Sequence, residues 1–431
     1  MNYEFLNITD LPTINELPNP FIDYSGKEIT TVNQWKDQRE YLKQMLAHYL
    51  YGHMPVDSGQ TKGNVIFSRL VYSGKAIAET VQITCGPIGE IHFNVDIIRP
   101  YVKKKIPVFI FNQPKGRHGS PIEEEIVCQH EYAIAEFDRE QLAPDGPEAK
   151  ECCLAKTWPK CDWGVIAMWA WGHSRIADYL LTTDWCDTSK MIVTGHSRGG
   201  KAALCAAIYD ERIAICAPNG SGCGGCGCFR YLGSRYGEGI GLCETAGSIF
   251  AMAPYWWSKN FAYFGAQNPA LSKLSIKELN TSMSNQNMQV IFDNLGITAQ
   301  ENKLPFDMHT ARALIAPRAI ISTDALGDMW SNTYGTQINW LAAQEVFDFL
   351  NVPNNNAIHF REGSHDFQSL DWQVIINYCD MLFYGEESKN IQYFNSLPNS
   401  ANIEEKMQFQ LDFKSIRHLH YSWSNPHMNS I

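Results

Sequence analysis

The sequence has few of the features that would assign it to a simple class. No stretch of its 431 residues approaches the ~20 consecutive apolar residues needed to span a bilayer. No basic excess is present: 35 Lys and Arg face 46 Asp and Glu, a net charge of −11, which argues against a general nucleic-acid surface. The opening residues, MNYEFLNITDLPTINELPNP, hold neither a basic n-region nor an apolar h-region, so a cytoplasmic protein is expected, or a secreted one if the native chain begins further upstream. There is no internal repeat and no low-complexity tract. Thirteen cysteines, an odd number, are scattered through apparent helices and strands, which is not the disulfide framework of a small secreted domain. Cys223, Cys226 and Cys228 stand in SGCGGCGCFR, but no second Cys/His pair at matching spacing completes a tetrahedral site. A packed Gly-rich turn is expected there, and no metal or cofactor.

What the sequence does have is alternation. Residues 1–60 read as an entry segment ending in a helix, TVNQWKDQREYLKQMLAHYLYG, whose apolar residues follow helical spacing until Gly52. Three β-rich segments follow, NVIFSRLVYS, AIAETVQITCG and EIHFNVDIIRP, with the partial alternation of an antiparallel lead-in. From Lys105 the pattern changes to short apolar runs: IPVFIFNQ, YAIAEFD, KMIVTGHS, IAICAPNG, RAIISTDA and NAIHFREG. Helical segments separate most of them. Short buried strands alternating with helices predict an α/β three-layer sandwich with a mostly parallel central sheet. The expected organisation is one domain: entry segment 1–60, catalytic core 61–390 and a peripheral polar tail 391–431. The aromatic, Asn-rich stretch 240–305 breaks the alternation and is expected to insert above the sheet edge.

The chemistry concentrates at MIVTGHSRGGKAAL. Gly195-His196-Ser197-Arg198-Gly199 fits G-x-S-x-G between a strand and a helix, the context in which that motif makes a nucleophile elbow. Ser197 is therefore the candidate nucleophile, and a Ser hydroxyl needs a base. His365, in the loop REGSHDF after the last expected strand, is the candidate base; a loop at the carboxyl end of a parallel strand faces the active-site crevice. His309 precedes a helix and is expected to make a structural hydrogen bond, and His359 lies inside a strand. RAIISTDALGDMW offers two acids, Asp324 and Asp328, of which Asp328 lies further into the loop, where it could reach a ring nitrogen of His365. Asp366 is too local to orient its neighbour.

GHSRGGKAAL resembles the G-[CH]-S-R-x-G-K signature of glucuronoyl esterases, carbohydrate esterase family 15, especially the bacterial branch of that α/β-hydrolase family. WGVIAMWAWGHSRIADYL resembles the helix that precedes the elbow strand in that family, and SGCGGCGCFRYLGSRYGE, LPFDMHTARALIAPR, GDMWSNTYGTQINWLAA and REGSHDFQSLDW resemble its later blocks in their order; with the N-terminal entry the resemblance runs from roughly residue 17 to residue 385. The resemblance implies a shallow, open site that hydrolyses esters of glucuronic or 4-O-methylglucuronic acid, through a glucuronoyl-enzyme on Ser197. It implies an oxyanion role for Arg198, through its backbone N–H and its guanidinium, and sugar contacts from Lys201, Glu238 and Trp330. The expected partner is a glucuronate-containing saccharide or ester, with no nucleic acid and no membrane. One departure matters. Many members carry a catalytic Glu just after the strand that follows the elbow, where this chain has Asn219-Gly220. The acid must then come from the later loop, where Asp328 in GDMW matches the Asp-x-Trp of members that use it. The alternatives on the same fold are an acetyl xylan esterase or general carboxylesterase, and a catalytically dead carbohydrate-binding protein.

Overall fold

In the computed structural model the described residues are 3–114, 120, 122–231, 243–265, 300–328, 330–386 and 420–427. The three β-rich segments form an antiparallel meander: β1 (Lys62–Val71), β2 (Ala76–Cys85) and β3 (Ile91–Pro100). The six short apolar runs are β4 (Ile106–Gln113), β5 (Ala133–Asp138), β6 (Cys186–His196), β7 (Ile213–Asn219), β8 (Ala319–Ala325) and β9 (Asn356–Arg361). One nine-stranded sheet results, in the order β1-β2-β3-β5-β4-β6-β7-β8-β9. It is parallel from β5 to β9, and β3 joins it antiparallel to β5. The runs β4 and β8 are almost wholly buried along their length because both faces of the sheet are covered there.

Among the described residues five long helices accompany the sheet: α1 (Val32–Leu46), α2 (Val165–Leu180), α3 (Arg198–Tyr209), α4 (Thr333–Phe349) and α5 (Ser369–Tyr384). Thr31 and Gln34 start α1 with a reciprocal capping box, and the helix runs through one wider turn to Gly52, whose φ of +82° ends it. The larger core cluster holds α1, α2, α3 and α4; the smaller, on the opposite face, packs Trp372, Ile375 and Tyr378 of α5 against Phe109, Ile192 and Ile321. Among the described residues no helix is long and apolar enough to cross a membrane.

Residues 420–427 do not form part of a peripheral tail. Tyr421 and Trp423 are buried, the Trp423 indole donates to the Leu17 carbonyl at 2.7 Å, and Leu17 N donates to the His420 carbonyl at 2.9 Å. A polar composition concealed this docking, because two aromatic anchors suffice to bury a short segment. Of the stretch expected to insert above the sheet edge, 240–305, residues 240–242 and 266–299 lie outside the described set. Of its described parts, 243–265 and 300–305, the first places Tyr255 and Trp256 beside the carboxyl ends of the strands.

Candidate active site

The turn from β6 into α3 sets Ser197 at φ 57° and ψ −122°, a strained conformation for any residue with a side chain. Two glycines make the turn possible. A Cβ on Gly195 would stand 2.5 Å from Gly199, and a Cβ on Gly199 would stand 2.7 Å from the Asn112 amide oxygen. The Asn112 amide group donates to the carbonyl oxygens of Gly199 (2.9 Å) and Thr194 (3.3 Å), tying the end of β4 to both sides of the elbow. Ser197 thus stands at the carboxyl end of a central parallel strand, where such folds open their crevice.

His365 Nε2 lies 2.9 Å from Ser197 Oγ, and its Nδ1 lies 2.5 Å from Asp328 Oδ2. The three residues come from the ends of β6, β8 and β9, separated by 131 and 37 positions in the chain, and only the sheet brings them into line. Burial of Asp328 disfavours its ionised form, but hydrogen bonds from His365 and Ser331 outweigh burial and hold the carboxyl below its ordinary range. Asp324, the other acid considered, is 1% exposed with no hydrogen-bond partner on either oxygen, and burial followed by repulsion from Asp328 pushes it well above that range. A carboxyl held neutral cannot stabilise an imidazolium. Asp366 pairs instead with Arg361 at 2.6 Å.

The sequence reading missed Ser331. Its hydroxyl donates to Asp328 Oδ2, its backbone N–H donates to Asp328 Oδ1 at 3.1 Å, and its Oγ lies 3.2 Å from His365 Nδ1. The signal was the three-residue spacing from Asp328, which brings the Ser N–H to the carboxylate as at a helix N-cap. Ser331→Ala is expected to lower kcat about tenfold, since a hydrogen bond to a charged group contributes roughly 1.5–3 kcal/mol. Steady-state kinetics would check this, and an unchanged kcat would show that Asp328 is held well enough without the hydroxyl.

Asn219, at the end of β7, bonds to His196. Its Nδ2 donates to Thr323 (Oγ1 at 2.9 Å, carbonyl at 3.1 Å), so its Oδ1 is left to accept from His196 Nδ1 at 2.6 Å. The His196 ring packs 4.5 Å from that of His365. A Cβ on Gly220, φ +50°, would stand 3.3 Å from His196 and 3.5 Å from His365.

Arg198 is the first residue of α3, so its backbone N–H has no partner within the helix and faces the site beside the nucleophile. Its guanidinium, 40% exposed, pairs with Asp145 and lies 5.0 Å from the Trp256 ring centroid. Asp145 is fixed in turn by the Trp256 indole at 2.8 Å and the Tyr255 hydroxyl at 3.2 Å. Arg139 stands behind it, buried and driven down to about 10, by burial first and then by Arg198. Its guanidinium donates to Asn112 Oδ1 at 3.3 Å. Ser197, Arg198, His365 and Arg139 line one cleft of about 660 Å³, together with Phe111, Pro114 and Phe367.

Lys201 does not stand free on the α3 surface as a ready sugar contact. It is 1% exposed, and its ammonium donates to the Ser221 carbonyl at 2.6 Å and to Glu244 Oε2 at 2.7 Å. A buried cation must be paired, and the chain supplies Glu244, which is itself 3% exposed. Glu238 lies outside the described residues. Trp330 is half-buried against the main core, and its carbonyl accepts the Glu244 N–H at 2.9 Å. The thiols of Cys223 and Cys226 are directed at a backbone carbonyl and at Arg312 respectively, and burial raises the pKa of all three cysteines of that turn.

A nucleophile elbow, a His and an Asp in chain order Ser-Asp-His, and a cleft above a parallel sheet define a serine hydrolase of the α/β-hydrolase class. The family model described as glucuronyl esterase, fungi, matches residues 87–277 and 274–351. The chain belongs to the glucuronyl esterase family, and it is a carboxylic ester hydrolase. Among its relatives, a carbohydrate esterase of an unknown prokaryotic organism is 26% identical over 84% of this chain and 89% of its own. A 4-O-methyl-glucuronoyl methylesterase of Thermothelomyces thermophilus is 26% identical over 88% of this chain and 84% of its own. The structure of a carbohydrate esterase family 15 glucuronoyl esterase from Caldicellulosiruptor kristjansonii superimposes with a TM-score of 0.68 at 24% identity, covering 90% of this chain and 97% of that one. The shared fold is thus the α/β-hydrolase sandwich, with the antiparallel meander continuing its sheet.

Proposed function

We propose that this protein hydrolyses esters of glucuronic acid and 4-O-methylglucuronic acid. The observation that carries the reading is the line Ser197–His365–Asp328, at 2.9 and 2.5 Å, in a chain of this family with Arg198 directly after the nucleophile. Ser197 Oγ attacks the uronoyl carbonyl while its proton passes to His365 Nε2. Negative charge develops on the carbonyl oxygen, where the Arg198 N–H and the nearby guanidinium stabilise it more than they stabilise the neutral ester. The C–O bond to the alcohol breaks, the alcohol leaves with the His365 proton, and a glucuronoyl-Ser197 ester remains. Water then attacks that ester with His365 as base, Ser197 recovers its proton, and the uronic acid departs. Asp328 stays ionised throughout and stabilises the imidazolium.

Benzyl and methyl glucuronate are expected to be turned over by the pure protein at least ~100-fold faster, in kcat/KM, than acetyl groups of acetylated xylan. Charge-assisted hydrogen bonds to the uronate ring, roughly 1.5–3 kcal/mol each, have no counterpart in an acetyl group. Equal rates on both substrates would mark a general carboxylesterase instead.

A further inference from the structure

The antiparallel meander carries a row of side chains that leads out of the cleft. Phe67 of β1 is paired with Thr80 of β2, Thr80 with Asp96 of β3, Asp96 with Glu136 of β5, and Glu136 with Phe111 of β4. Residues directly opposite one another in a sheet point to the same face, so these five form one line across five strands. Phe111, at the inner end, lines the catalytic cleft. Phe67, at the outer end, is 52% exposed on the edge strand. The line crosses four strand spacings, about 19 Å at ~4.8 Å each.

The surface along this line is concave. A hollow of about 140 Å³ shares Gln113 and Pro114 with the catalytic cleft and extends to Thr80, Asp96 and Glu136. A second hollow, of about 240 Å³, shares those last three residues and ends at Phe67 and Arg69. Three depressions with common walls make one trough from Ser197 to the sheet edge. Its lining combines carboxylates, the amides of Asn94, Gln113 and Gln141, and a hydroxyl with apolar side chains, and one exposed aromatic ring closes it. Among the described residues Arg69 is the one cation lining the two hollows, against five carboxylates, of which Glu79 is paired with Arg99 at 3.0 Å.

We propose that this trough binds the saccharide chain that carries the uronoyl ester, as an uncharged, hydroxyl-rich glycan. The proposal rests on the glucuronate-esterase reading. Carboxylate and amide oxygens accept from sugar hydroxyls, and an exposed ring offers a platform to the C–H face of a pyranose. The same negative field repels a polyuronate. Continuity with the cleft favours a substrate chain over any separate partner, because whatever lies in the trough meets the catalytic serine at its inner end.

Two measurements test this. In the first, kcat/KM is compared for methyl 4-O-methylglucuronate and for the same methyl ester borne on neutral xylo-oligosaccharides of increasing length. The larger substrates are expected to gain through KM, and Phe67→Ala and Asp96→Ala each to reduce the ratio of large to small about tenfold. In the second, neutral xylohexaose is titrated into the wild-type protein, with polygalacturonate as the charged counterpart. Xylohexaose is expected to bind, polygalacturonate not, and each substitution to weaken the neutral ligand several-fold. No xylohexaose binding, equal binding of the polyuronate, or binding that survives both substitutions overturns the trough. So does self-association through the β1 edge with no oligosaccharide effect. If xylohexaose binds in the trough but neither ester is hydrolysed, the esterase reading fails and the glycan site stands.

Discussion

Replacing Ser197 with Ala is expected to cut kcat on benzyl glucuronate by roughly 10⁵–10⁶-fold while leaving the thermal transition close to that of the wild type. The loss is large because the hydroxyl is the atom that forms the covalent bond, and His365 has nothing to deprotonate once it is gone. The rate that survives comes from the cleft itself, which still binds the ester and offers the Arg198 N–H to attack by water. The fold should tolerate the change. The strained backbone at this position, φ 57°, is fixed by Ser197 N donating to the Asn219 carbonyl at 2.9 Å and by the Ser197 carbonyl accepting from Lys201 N at 3.1 Å. Neither bond uses the side chain, and Ala meets the same strain that Ser already bears. Turnover by both proteins, measured beside their melting curves, separates chemistry from folding. Unchanged turnover in the variant would remove Ser197 from the mechanism.

The sequence made the sheet legible because both parallel and antiparallel strands announce themselves locally. IPVFIFNQ is apolar from Ile106 to Phe111 because β4 is covered on both faces, whereas EIHFNVDIIRP alternates because β3 has one face covered. Ser197 was legible from five residues and their flanks. His365 and Asp328 were legible from their places after β9 and β8. What escaped were contacts that only the third dimension creates. Ser331 looked like any loop serine. Asp145 and Asn112 lie 53 and 87 residues from the groups they hold, Arg198 and Gly199, and no local pattern links them. Lys201 was expected to contact the sugar, on the resemblance of GHSRGGKAAL to the family signature. Its burial depends on Glu244, 43 residues on, rising beneath it. The row of side chains leading from Phe111 to Phe67 carried no motif at all, since its members sit on five different strands.

Asp328→Asn is expected to lower kcat by about 10⁴-fold, with the protein still folded. Asp328 Oδ1 accepts from Ser331 N, and Oδ2 faces His365 Nδ1. An asparagine that keeps the first bond turns its amide N–H₂ toward the ring, so Nδ1 must accept. The ring proton then sits on Nε2, which would donate to Ser197 Oγ instead of taking its proton. The control is Asp324→Asn, expected to change kcat only several-fold, because Asp324 touches neither His365 nor the cleft. The two variants should also differ in the sign of their pH-dependent stability. The Asp328 carboxyl is held below its ordinary value, so its stabilisation is present above the unfolded-state pKa and disappears as the pH falls through the lowered one. The stability deficit of Asp328→Asn should therefore shrink toward acid. The Asp324 carboxyl is held above its ordinary value, by burial and then by Asp328, so it weakens the fold progressively as the pH rises past the unfolded-state pKa. Asp324→Asn should therefore gain on the wild type toward neutral pH. Melting temperatures of the three proteins across that range give both slopes at once. If Asp324→Asn proved the slower enzyme, the carboxylate that serves His365 would have to be reassigned.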